Sequence, residues 1–76
     1  MTTASISRAS IDSSSLASIG YSPEQHILEA EFRRGDVYRF FMVPREVYDQ
    51  LLSAESKGRY FNSFIKGRFP FAKQVG

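Results

Sequence analysis

Seventy-six residues, with ten Lys and Arg against eight Asp and Glu for a formal charge of +2, suffice for one domain and no more. The absence of cysteine excludes a disulfide framework and a thiolate zinc site. No apolar run approaches the roughly 18 residues of a membrane span, and the N-terminus lacks the basic start and apolar stretch of a secretory signal, so the expected compartment is the cytoplasm.

Met1 to Asp12 is mostly Ser, Thr and Ala, without alternation or helical period. It is expected to be a disordered tail that contributes little to stability. About 60 residues then remain to fold, a size that hides only about 60% of the surface of the unfolded chain. Any site must therefore be a surface or a shallow groove. Seven Phe and four Tyr supply large side chains for a core.

Leu16 to Tyr21 reads as a first strand, with Ala17, Ile19 and Tyr21 on one face. Ser22-Pro23-Glu24-Gln25 suits a turn, because Pro is pre-set for its second position. His26 to Arg33 is the clearest strand. Leu28, Ala30 and Phe32 alternate with Glu29, Glu31 and Arg33, as in a sheet with one buried and one solvated face. A tight turn at Arg33-Arg34-Gly35 leads into a third strand, Asp36 to Val43. A two-residue loop here would set Arg39 beside Ala30 on the buried face. A three-residue loop with Gly35 in the left-handed region instead pairs Phe32 with Asp36, Ala30 with Tyr38 and Leu28 with Phe40. That register, which places Met42 on the same apolar face, is the one expected. Val37, Phe41 and Val43 make the other face of this strand apolar too, and Phe69-Pro70-Phe71 is the candidate to cover it.

Pro44 opens a helix, with Glu46 in the first turn and Val47, Tyr48, Leu51, Leu52 and Ala54 along an apolar stripe. Ser56 is the expected N-cap of a second helix and Gly67 its stop. Tyr60, Phe61, Phe64 and Ile65 share its apolar face, with Phe61 and Phe64 as anchors. Arg59 and Lys66 fall together on the opposite face, flanked by Asn62 and Ser63. The fold class is therefore α+β: a three-stranded antiparallel β-meander followed by two α-helices packed on one face, in the order βββαα. The domain is expected over residues 13–71, between a tail at 1–12 and a C-terminal tail at 72–76.

Little in the chain suggests catalysis. His26 is the only histidine and has no evident partner beyond Glu24. Glu29 and Glu31 read as a solvated strand face. There is no Ser-His-Asp set, phosphate loop or metal-ligand spacing, so no cofactor and no metal are expected. The charge distribution is more informative. From Ser56 onward there are five basic residues and no acidic one. Lys57, Arg59, Lys66, Arg68 and Lys73 interleave with Tyr60, Phe69 and Phe71, combining charge for phosphates with rings for bases. The expected function is a small non-catalytic module that binds single-stranded RNA or another nucleic acid weakly. Its site would comprise Lys57, Arg59, Asn62, Lys66, Arg68, Phe69 and Phe71. The alternative is a protein partner or homodimer joined through the exposed edge of the third strand. Tyr38 and Phe40 are read as core rings rather than stacking platforms, because they share the face of Leu28, Ala30 and Phe32.

The blocks Ser15-Leu16-Ala17-Ser18-Ile19-Gly20-Tyr21, Leu28-Glu29-Ala30-Glu31-Phe32, Gly35-Asp36-Val37-Tyr38-Arg39-Phe40, Val43-Pro44, Ser56-Lys57-Gly58-Arg59-Tyr60-Phe61-Asn62 and Ile65-Lys66-Gly67-Arg68 together resemble the KTSC domain from about Ser13 to Phe71. That resemblance implies a domain found at the C-terminus of some lysyl-tRNA synthetases and as a stand-alone bacterial protein. RNA binding has been suggested for it. The family pattern has a central Tyr-x-Tyr, which here reads Tyr38-Arg39-Phe40, so the second hydroxyl is missing.

Overall fold

A computed structural model describes residues 6–74. It is an α+β fold: five strands in one antiparallel sheet, ordered β1-β2-β3-β4-β5 along the chain, with two helices between the fourth and fifth. The strands are β1 (Ala9–Ser10), β2 (Leu16–Ser22), β3 (Ile27–Phe32), β4 (Val37–Phe40) and β5 (Phe71–Gln74). The helices are α1 (Arg45–Ser53) and α2 (Lys57–Phe64).

The central hairpin has the register that its pattern predicts. Leu28 faces Phe40 and Ala30 faces Tyr38. Gly35 has φ +103°, and its N–H donates to the Phe32 carbonyl. A side chain is rarely tolerated at that φ, so glycine makes the three-residue turn possible. Leu16, Ile19, Leu28, Ala30 and Phe40 then meet Val43, Leu51, Phe61 and Ile65 in one core.

Around this centre the sheet is larger than the three strands expected. Residues 1–5 of the N-terminal tail lie outside the described part of the chain. Ala9 and Ser10, however, pair with Ile19 and Ser18, and Ile11 packs against the core. Gly20 shows how closely this segment lies: a Cβ there would sit 2.2 Å from the Ser7 carbonyl oxygen. At the other end, Ala72, Lys73 and Gln74 belong to β5, which pairs along β4. Pro70 precedes β5, where its missing N–H costs no ladder bond, and its carbonyl accepts from the Phe41 N–H. Phe69-Pro70-Phe71 therefore leads into an edge strand and does not cover the far face of β4. The third strand's edge, expected to be open, is occupied by β5, and a partner joining there would have to displace it.

Three local departures have physical causes. A bulge between Leu16 and Ser18 shifts the phase of β2, so Leu16 enters the core in place of Ala17. Met42 adopts φ +62°. The chain still runs alongside β3, with the Val43 N–H donating to the His26 carbonyl, but its phase shifts by one residue, which leaves Met42 73% exposed and buries Val43 completely. The polar sheet face is also less solvated than alternation suggests. Glu29 is buried between Arg39, its cross-strand neighbour at 2.7 Å, and Arg8 at 3.4 Å. Beside it, Ser18 donates to Glu31.

Pro44 precedes α1, and the Ser56 hydroxyl accepts from the Arg59 N–H to cap α2. The Tyr21 hydroxyl donates to the Val43 carbonyl, and its ring stacks on Tyr48 at 5.1 Å. Burial pushes the hydroxyl pKa of Tyr21 up, and nearby Glu46 adds to the effect. Gly67, expected to stop α2, takes φ +80° in the turn that follows; the helix itself already ends at Phe64, with Ile65 as its C-cap. Phe61 is the anchor of α2, at 1% exposure. Phe64 is 52% exposed and does not share that role, since Ile65 fills the core position instead.

Candidate functional site

The core face of the sheet does not close completely. Where α2 ends, a groove of about 430 Å³ opens between the helix and strands β3 to β5. That is within the size range of small-ligand sites, roughly 300–1,000 Å³. Its floor is aromatic because three strands and one helix each deliver rings to the same place. Phe32 and Phe40 stand edge-on to Phe61 at 5.5 and 5.2 Å. Tyr38 stands edge-on to Phe32 at 5.6 Å. Phe71 faces Phe40 across the β4–β5 ladder, and its ring lies 5.7 Å from Phe40 and 5.8 Å from Tyr38. Phe40 and Phe61 are buried, Tyr38 is half-buried, and Phe71 is 57% exposed as the outer ring.

The rim is polar and mostly basic. Asn62, Lys66 and Arg34 line it. Arg34 also sits 5.5 Å over the Phe32 ring, in a cation–π geometry. Its Nε donates to Asp36 at 2.6 Å, and Lys73 reaches the other oxygen of Asp36 at 3.3 Å. Partial burial works to raise the Asp36 carboxyl, but the hydrogen bonds from Lys73 and Arg34 outweigh it. The group is held below the ordinary carboxylate range. The trio fastens β5 to the β3–β4 turn, on the groove side of the sheet.

A census of the ten basic side chains separates structural cations from available ones. Arg8, Arg34, Arg39, Arg45 and Lys73 are paired with carboxylates. Arg33 donates to the Ser13 carbonyl and Lys57 to the Ala54 carbonyl at the end of α1. Among the described residues, only Arg59, Lys66 and Arg68 have neither kind of partner, and all three are exposed.

The seven residues expected from sequence are therefore divided. Asn62, Lys66 and Phe71 share the groove. Arg68 is exposed just past Gly67. Phe69 is half-buried against the core, and Lys57 is engaged with α1. Arg59 lines a different groove with Tyr60, Ser63 and Phe64. It fails to join Lys66 because α2 ends at Phe64. Beyond that point the Ile65 and Lys66 N–H groups both donate to the Phe61 carbonyl, so a 100° step no longer describes where Lys66 points. Arg34, Phe32, Tyr38 and Phe40 were not expected at the site. The strand face shared by Phe32, Tyr38 and Phe40 was readable, but the opening above it depends on β5, and Arg34 reaches it from the β3–β4 turn.

Elsewhere, His26 is exposed in the left-handed region at φ +57°, one residue before β3 begins. Among the described residues, no group of three or more His, Cys, Asp or Glu side chains is placed to hold a metal ion. No helix among them is long and apolar enough to cross a membrane.

Comparison with known proteins gives concordant matches. A family model for the KTSC domain matches residues 12–69. An uncharacterised protein from Stutzerimonas stutzeri is 54% identical over 59 residues, covering 78% of this chain and 83% of that protein. A lysine–tRNA ligase from Nostoc sp. is 45% identical over 51 residues, covering 67% of this chain but only 9% of the ligase. The crystal structure of a KTSC domain protein from Yersinia pestis matches with a TM-score of 0.89 and 39% identity, over 93% of this chain and all of that one. That coverage exceeds residues 12–69, so the likeness reaches into the segments flanking the family match.

Proposed function

Because the chain belongs to the KTSC domain family, which also forms a small part of lysine–tRNA ligases, we propose that it is a non-catalytic module that binds single-stranded RNA at the aromatic groove. The observation that carries this reading is the position of the unpaired cations. Arg59, Lys66 and Arg68 lie within ten residues of one another, in a stretch from Ser56 onward that has no acid. Lys66 stands on the rim of a groove whose outer ring is exposed. Cations already held by carboxylates offer little to a phosphate; among the described residues these three have no neutralising partner to give up.

A base would lie on Phe71, backed by Tyr38 and Phe40. Such stacking contributes about 1–3 kcal/mol per base and tolerates any sequence. The Asn62 side chain would hydrogen-bond the base edge, and Lys66 and Arg68 would take the adjacent phosphates. Because no contact is tuned to one base, the affinity should be weak and broadly sequence-tolerant. The name of the ligase relative supports RNA as the partner, since that enzyme acts on a tRNA.

The test replaces Arg59, Lys66 and Arg68 together by Gln and measures fluorescence anisotropy of a labelled single-stranded RNA. All three are exposed, so the fold should persist. Binding should fall at least tenfold. Arg45→Gln, which removes a surface cation already paired with Asp49, should have little effect. If Arg45→Gln alone loses a third or more of the triple variant's loss in log affinity, net charge and not position governs binding, and the proposed site is wrong.

A further inference from the structure

A second pair of rings lies on the side of α2 away from the groove. Tyr60 and Phe64 are tilted against each other with centroids 4.8 Å apart. The Tyr60 hydroxyl donates to Gln50 on α1 at 2.7 Å, which fixes its ring before any ligand arrives. Phe64 is half exposed and contributes little to the core. Arg59 and Ser63 line the same shallow groove, of about 300 Å³. Glu55 lines it as well, yet Arg59 forms no ion pair with it among the described residues.

We infer that Phe64 and Tyr60, with Arg59, form a second base-stacking site, so that the RNA ligand crosses α2 with one base held on each side. This inference rests on the proposed function, and it specifies the ligand. The occupant is argued from charge: an exposed ring pair beside an unpaired arginine suits a base joined to a phosphate. Glu55 repels phosphate from its own end, so the backbone passes on the side of Arg59 and Ser63. Lys66 and Arg68, just beyond the helix, continue the track toward Phe71.

The geometry sets a minimum length. A helix with its side chains is about 10–12 Å across, whereas stacked neighbouring bases rise by only about 3.4 Å. The two bases held cannot be stacked neighbours, and at least one nucleotide must bridge them. The smallest ligand that fills both sites is therefore about three nucleotides long.

The experiment is an NMR titration of the full chain with uridine oligoribonucleotides of one, two, three and six units, for the wild type, Phe71→Ala and Phe64→Ala. Both rings are more than half exposed, so both variants should keep native spectra. The mononucleotide should shift the Phe71 and Lys66 signals and leave Phe64 unmoved; three or more units should shift both. Phe64→Ala should weaken binding of the six-unit RNA about five- to hundredfold and leave mononucleotide binding unchanged. If long RNA moves the Phe71 signals but never those of Phe64, the second site is wrong and the first stands. If Phe64→Ala weakens the mononucleotide equally, the two sites are not separate. If no length of RNA moves either ring, both readings fail. Concentration-dependent broadening of the Tyr60 and Ser63 signals without RNA, abolished by Phe64→Ala and accompanied by no response to RNA, would make this face a contact between two copies and overturn the proposal.

Discussion

Replacing Phe61 or Phe64 by alanine removes the same atoms from the same helix, but the structure requires very different outcomes. Phe61 is 1% exposed, with its ring edge-on to both Phe32 and Phe40. Phe→Ala at such a site costs about 3–5 kcal/mol, from lost transfer energy and the cavity left behind. A chain of this length has a total stability of roughly 4–11 kcal/mol, so the loss takes about a quarter of it or more. At about 4–8 °C per kcal/mol, melting should fall by about 12–40 °C. Phe64 is 52% exposed, and its main contact is the ring of Tyr60. That pair contributes about 0.5–1.5 kcal/mol. With a modest burial contribution added, the cost is about 1–2 kcal/mol. Urea denaturation followed by circular dichroism would give both values on one scale. If Phe64→Ala costs as much as Phe61→Ala, or if Phe61→Ala melts like the wild type, the orientation assigned to α2 is wrong.

Two further predictions test the ends of the sheet. Gly20→Ala should free the N-terminal segment, because the new Cβ would meet the backbone oxygen of Ser7 at 2.2 Å and a backbone atom cannot step aside. Hydrogen exchange at the Ile11 amide, which donates to the Ala17 carbonyl, should then become fast; unchanged protection would show that the segment does not lie against β2. At the other end, Asp36 has a folded-state pKa below its ordinary value. Its contribution is therefore complete above the unfolded value, near 4, and is lost as pH falls through the lower folded value. Protection of the β5 amides should drop over that acid range in the wild type. In Asp36→Asn it should be weak already at neutral pH and show no such step.

How much of this was readable from the residues depends on which interactions determine each part. The hairpin was legible because two buried strand faces admit one register, and Gly35 was the residue that could close it. The start of α2 was legible because Ser56 acts locally, whereas its end was read too late, since the helix stops at Phe64, three residues before Gly67. The outer strands were not. Ala9–Ser10 and Phe71–Gln74 are held by backbone pairing to strands already formed, and a short edge strand needs no apolar alternation. The same gap hid the burial of Glu29, since the Arg8 that pairs with it comes from the segment read as a tail. Met42 and Phe64 were assigned to the core by extending a period past the point where the backbone leaves it. At the candidate site, the acid-free basic stretch and Phe71 were visible in the sequence. The sorting of its cations into engaged and unpaired was not, because it depends on contacts such as that of Lys57 with Ala54.

The most direct test of the central claim is the salt dependence of single-stranded RNA affinity, measured together with the residues whose signals move. Lys66 and Arg68 should neutralise about two phosphates, and Arg59 a third when the strand crosses α2, giving a log–log slope of about −1.4 to −2 on a single strand. The shifts at low salt should centre on Phe71, Asn62, Lys66 and Arg68. A slope near zero, or shifts confined to the opposite sheet face around Glu29 and Arg39, would contradict the account.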